Sequence, residues 1–132
     1  MINGGRILII EDELNLRQNL CELLELHGYT VAVAGDGENG LIGLSTFHPD
    51  VVICDIKMPK MDGYELLETM RLYPHMKNLP FIFLSAKTEE KDIIEGLRRG
   101  ANKYLTKPMK KQLLIETIQR CLDKRFDEVK LD

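Results

Sequence analysis

The apolar residues of this 132-residue chain fall into five short runs, and the stretch after each run carries apolar residues at helical spacing. The runs are 6–10 (RILII), 30–34 (TVAVA), 51–54 (VVIC), 81–84 (FIFL) and 103–106 (KYLT). Residues 13–27 carry Leu16, Leu20, Leu23 and Leu24, and 37–47 carry Leu41, Leu44 and Phe47. Residues 64–73 carry Leu66, Leu67, Met70 and Tyr73, and 89–99 carry Ile93, Ile94 and Leu97. Residues 110–125 carry Leu113, Leu114, Ile118, Cys121 and Leu122. Spacings of three and four place each set on one helix face. Strands that alternate with helices predict an α/β domain, a parallel sheet with helices on both faces. VVIC and FIFL are apolar on both sides of any pleat, as central strands buried on two faces should be. KYLT mixes polar and apolar residues and reads as an edge. Gly28, after His27, suits the left-handed cap of the first helix.

The length suits one domain, expected over 1–124, with 125–132 extending the last helix or forming a tail. A net charge of −3 argues against bulk binding to nucleic acid or an anionic membrane. No apolar run approaches the ~20 residues of a membrane helix, and the N-terminal run is too short for a signal peptide. The expectation is a cytoplasmic protein. Cys21, Cys54 and Cys121 form no C-x-x-C pair, so they read as free thiols, with Cys54 packed and inert. His27, His48 and His75 are scattered without ligand spacing.

Charges follow three of the runs. Glu11-Asp12 follow the first, Asp55 the third and Lys107-Pro108 the fifth. If these runs are parallel strands, the charges meet along one sheet edge, where ligand sites of open α/β sheets lie. Glu11, Asp12 and Asp55 offer hard oxygen ligands of the kind Mg²⁺ takes with waters and phosphate oxygens. Two carboxylates held ~4 Å apart repel by about 4 kcal/mol at an effective dielectric of ~20, which an ion would relieve. Taken alone, Glu11-Asp12 equally suits a solvated turn or a helix cap. Asp55 can act as a nucleophile toward phosphorus. Lys107, the Ser85 hydroxyl after the fourth run and backbone amides can stabilise the transferring oxygens.

The segments ILIIED, DVVICDIKMPKMDGYELL, PFIFLSA and GANKYLTKP, in this order and spacing, resemble the receiver domain of two-component response regulators, of the chemotaxis-regulator-like kind. The resemblance covers residues 6 to about 124. It implies a flavodoxin-like, doubly wound five-stranded parallel sheet in the order 2-1-3-4-5, with five helices. Asp55 matches the phosphoacceptor. Glu11 and Asp12 match the acidic pair, with Asp12 the direct ligand of Mg²⁺ (or Mn²⁺) and Glu11 acting largely through water. Lys57 matches the position whose backbone carbonyl completes the metal shell. Ser85 matches the switch hydroxyl, Tyr104 the switch aromatic and Lys107 the phosphoryl-contacting lysine. Pro108 matches the proline whose preceding peptide bond is typically cis. The implied function is a phosphorelay switch. A histidine kinase or phosphotransfer protein phosphorylates Asp55, Ser85 and Tyr104 respond, and a downstream effector reads the altered face. It implies no enzyme activity beyond the domain's own phosphorylation and dephosphorylation, and no direct contact with nucleic acid or membrane. Apart from the segments around it, Tyr104 reads as an ordinary half-buried edge aromatic.

The chain departs from the family pattern at three places. Asn102 and Lys103 stand where many receivers carry two aspartates that serve a symmetric dimer, so a monomer or weak dimer is expected. Met109 stands where Phe is frequent. Lys57 and Lys87 lie two residues after Asp55 and Ser85, at positions that modulate water attack on the acyl phosphate in the family. They read either as groups that prolong the phosphorylated state or as solvated loop lysines. Two other functions compete with the switch. An aspartyl-phosphate hydrolase usually needs a second Asp where Lys57 stands. A phosphorylation-independent interaction module usually lacks the acceptor or the lysine, and both are present here.

Overall fold

The computed structural model describes residues 4–131, with side chains to residue 123. The elements are β1 (Arg6–Ile10), α1 (Leu14–Leu26), β2 (Thr30–Ala34), α2 (Gly37–Phe47), β3 (Val51–Cys54) and α3 (Gly63–Arg71). A 3-10 turn (Pro74–Met76) leads to β4 (Phe81–Ser85), α4 (Glu90–Arg98), β5 (Lys103–Thr106) and α5 (Lys111–Leu131). The expected extension or tail at 125–132 falls where no side chains are described, and Asp132 lies outside the described residues.

The strands form one parallel sheet in the order β2-β1-β3-β4-β5. Alternation along each strand divides the apolar residues between two cores. Leu8, Ile10, Val52, Cys54, Phe81 and Phe83 face α2 and α3, where Leu44, Leu66, Leu67 and Met70 meet them. Ile7, Ile9, Val51, Ile53, Ile82 and Leu84 face α1 and α5, where Leu20, Leu24, Leu114 and Ile118 meet them. Both faces of β1, β3 and β4 are therefore covered, as their continuous apolar runs require. β5 is an edge whose residues are exposed or half-buried.

Register brings the strand ends into line. Ile10 pairs with Ala34 on one side and Cys54 on the other, Cys54 with Phe83, and Ser85 with Thr106. Ser85 and the residues just after the other strand ends share one edge: Glu11, Asp12, Asp55, Ser85 and Lys107. Element ends differ from the sequence expectation in detail. The helix expected over 64–73 stops at Arg71, because Pro74 supplies no N–H to continue it, and Tyr73 lies outside it and exposed. Ile94, Leu97 and Leu113, expected on inward faces, are exposed. Gly28 takes the left-handed conformation (φ 89°) after α1, as its place predicts. Among the described residues no helix is long and apolar enough to cross a membrane.

Candidate functional site

Three carboxylates and one ammonium meet beyond β1, β3 and β5. Glu11, Asp12 and Asp55 each offer an oxygen, and these oxygens all lie within 4.8 Å of one another. Lys107 Nζ donates to Glu11 Oε1 at 2.9 Å and to Asp55 Oδ2 at 3.1 Å. The peptide bond between Lys107 and Pro108 is cis. The second oxygen of Glu11 accepts the Glu13 N–H at 3.0 Å, and Asp55 Oδ1 accepts the Ile56 N–H at 2.7 Å. Glu11 is buried, Asp55 half-buried and Asp12 exposed. One ammonium thus faces three carboxylates. The surplus of negative charge, in hard oxygen donors, suits a divalent cation.

Burial pushes the Glu11 carboxyl above its usual range, and the neighbouring Asp55 charge adds to this. The Lys107 and Glu13 hydrogen bonds offset it only in part. Lys107 moves the same way. Burial alone would lower it, but the Glu11 hydrogen bond and the Asp55 charge more than compensate, so its ammonium is held more firmly than usual.

Local sequence explains the placement. Glu13 caps α1, accepting the Asn15 and Leu16 N–H groups, so Glu11, two residues before it, is free to turn inward toward Lys107. Of the readings open for Glu11-Asp12, the helix cap falls instead to Glu13. Arg17 Nη1 holds the Glu11 carbonyl at 2.9 Å. Asp62 and Glu65 form a reciprocal capping box that starts α3. A Cβ at Gly63 would collide with the Asp55 carbonyl oxygen and Ile56 Cα, so glycine lets α3 begin against the acceptor strand. None of Glu13, Arg17 and Gly63 was singled out from the sequence. N-caps are chiefly Ser, Thr, Asp or Asn, so the Glu13 cap carries no such signal. Nothing short of distances reveals the other two.

Ser85 and Tyr104 occupy the neighbouring part of the edge. Ser85 is buried, and its Oγ accepts the Lys87 N–H at 3.1 Å. The half-buried Tyr104 turns its hydroxyl back over the β4–α4 loop and donates to the Lys87 carbonyl at 2.8 Å. Burial raises the Tyr104 phenol above its usual range. Phe83 links Tyr104 to Tyr64 through ring contacts of 6.0 Å and 5.5 Å between centroids. Lys57 and Lys87 are exposed, and the ion pair of Asp55 is with Lys107. Asn102 works within the chain: its Oδ1 accepts the Phe81 N–H and an Arg71 N–H, while Lys103 is exposed. Cys54 is fully buried beside Asp55, and burial pushes its thiol well above the usual range.

Residues 7–119 match the family model of the response regulator receiver domain. The chain belongs to this family. As a receiver it is similar to the DNA-binding response regulator MtrA of Mycobacterium tuberculosis (strain ATCC 25618 / H37Rv), 32% identical over 123 residues, covering 93% of this chain and 53% of MtrA. It is 39% identical to the regulatory protein AtoC of Escherichia coli (strain K12) over 118 residues, 89% of this chain and 25% of AtoC. The fold matches the chemotaxis response regulator CheY4 of Vibrio cholerae with a TM-score of 0.85 at 32% identity, covering 91% of this receiver and 100% of that chain. The receiver spans about half the length of MtrA and less of AtoC. The flavodoxin-like order 2-1-3-4-5 is thus found both in the strands and in the neighbours. The expectation of no direct nucleic-acid contact meets a relative named for DNA binding, over a receiver that matches about half of it.

Proposed function

We propose that this receiver accepts a phosphoryl group on Asp55 from a histidine kinase or phosphotransfer protein, and that Mg²⁺ assists. The observation that carries the reading is that Asp55 is shared. It lies 3.1 Å from the Lys107 ammonium and within 4.8 Å of two further carboxylates. An Asp55 oxygen attacks phosphorus, the bond from phosphorus to the donor imidazole nitrogen breaks, and that nitrogen keeps the electron pair and takes a proton. Lys107 sits where it can neutralise charge on the transferring oxygens, and Glu11 holds the ammonium there. Glu11, Asp12 and Asp55, with the Lys57 carbonyl, would hold Mg²⁺ or Mn²⁺, which supplies further charge neutralisation.

The new dianion offers Ser85 Oγ an acceptor in place of its present role toward the Lys87 N–H. Tyr104, bonded to the Lys87 carbonyl of the same loop, feels that change. The α4–β5 surface around exposed Ile94 and Leu97 is then the face an effector reads. Asn102 and Lys103 remove the acidic pair that would support a symmetric dimer there, so the receiver acts as a monomer or weak dimer. The exposed lysines Lys57 and Lys87 flank the path of water to an acyl phosphate and slow its hydrolysis. Lys57→Asn or Lys87→Glu should shorten the phosphorylated lifetime, and unchanged lifetimes in both would remove the lysines from the mechanism.

Intact mass after incubation with acetyl phosphate and Mg²⁺ tests the main reading. A gain of one phosphoryl group, absent in Asp55→Asn, is expected. Steady release of phosphate from an ester would favour a hydrolase, and no mass change with any donor would favour a phosphorylation-independent module.

A further inference from the structure

The inference concerns the regulation of the Asp55–Tyr104 site and rests on the reading above. α4 lies on a row of three aromatic rings: Tyr64 of α3, Phe83 of β4 and Tyr104 of β5. Both ends of the row are fixed. At one end the Arg99 guanidinium stacks 4.3 Å from the Tyr64 ring centroid and pairs with Glu68 of α3 and Glu95 of α4. At the other end Tyr104 donates its hydroxyl to Lys87.

Gly96 lets α4 approach this row closely. A Cβ there would lie 2.7 Å from Tyr104 Cδ2, 3.0 Å from Tyr104 Cε2 and 3.2 Å from Phe83 Cδ2. Phe83 is fully buried, so the Tyr104 ring has no room to retreat in that direction. Gly96 is not among the positive-φ residues, so its backbone conformation places no demand for glycine. Glycine within a helix costs about 1 kcal/mol relative to alanine. What the site gains in return is space.

We propose that Gly96 is a positioning residue for Tyr104: it holds open the room beneath α4 that the half-buried ring fills, and so ties the ring's position to the seat of the helix. A side chain at 96 displaces either the ring or the helix. Because coupling between two sites is reciprocal, bulk at 96 opposes any change at the Ser85 end that depends on the ring packing beneath α4. Phosphorylation of Asp55 is then opposed as well.

The test compares Gly96→Ala in the native chain with the same change in a Tyr104→Ala background, without phosphodonor. With the ring removed, the substitution should raise Tm by about 3 °C through helix propensity. With the ring present, the rise should vanish, and the Tyr104 ring resonances should move toward those of an exposed tyrosine. Equal rises in both backgrounds with unmoved ring resonances would overturn the proposal. Gly96→Leu extends the series. Phosphoryl uptake from acetyl phosphate should fall about fivefold, and adding Tyr104→Ala should close the difference. Uptake unchanged by Gly96→Leu contradicts the coupling. If the native chain takes up no phosphoryl group, the Asp55 reading fails, and the melts and ring resonances still decide the role of Gly96.

Discussion

The acidic pocket and the aromatic row share one sheet edge but are held by opposite physics. In the pocket, Glu11, Asp12 and Asp55 crowd together with a single ammonium bridging Glu11 and Asp55, and Glu11 is buried although burial disfavours its charge. In the row, Tyr64 packs edge-on against Phe83 and Tyr104 tilts against it, and Gly96 leaves room for a ring and nothing more. The pocket stores repulsion that an added charge relieves. The row stores none and responds only when a neighbour moves. A receiver needs both: one region that gains from a ligand, and one whose shape has discrete alternatives.

The largest expected effect falls on the pocket. Asp55→Asn should abolish phosphoryl uptake outright, measured by intact mass. Lys107→Ala should slow uptake about 10²-fold, the scale for losing one charge stabiliser, in single-turnover assays. It should also lower stability by about 2 kcal/mol in urea melts, because Glu11 and Asp55 lose their partner. Uptake that survives Lys107→Ala undiminished would place the charge stabilisation elsewhere.

Next comes the metal and proton response. Mg²⁺ should raise Tm relative to chelator, and Glu11→Gln should raise Tm in chelator while narrowing the Mg²⁺ effect. The pH dependence follows from signs. The folded pKa of Glu11 lies above its usual 4.5, so the native state binds its proton earlier than the unfolded chain. The stability linked to this group is fully present below 4.5 and is lost as pH rises through the folded value. Asp36 and Glu95 are held below 3.8 and 4.5, chiefly by hydrogen bonds from the Asn39 backbone and the Arg99 side chain. Their contributions are present above those values and are lost as pH falls through the folded ones. In chelator, stability should therefore rise on mild acidification from neutral and then fall, and Glu11→Gln should remove the rise. The smallest effect belongs to the row. Arg99 is exposed, and Arg99→Ala should change stability by no more than about 0.5 kcal/mol. A larger loss would mean that charge, not shape, seats α4.

The fold, and the meeting of Glu11, Asp12, Asp55 and Lys107 at one edge, were legible because period and order carry them. In a parallel sheet, the residue after each strand must emerge at the same edge, so RILII before Glu11 and VVIC before Asp55 locate both acids. What stayed hidden depends on ångström distances between side chains remote in sequence. Glu11 turns to Lys107, 96 positions away, and leaves the α1 cap to Glu13. Asn102, read as a lost dimer contact, is an acceptor for Phe81 and Arg71. Gly63 and Gly96 look alike on paper, yet one admits a backbone and the other a ring.

The central claim is that Asp55 is the nucleophile. Borohydride reduces an acyl phosphate to the alcohol, so treatment of the phosphorylated chain followed by peptide mass mapping marks the acceptor. Homoserine at position 55 and nowhere else is predicted. Reduction at position 11 or 12, or none in a chain that has gained a phosphoryl group, would contradict it.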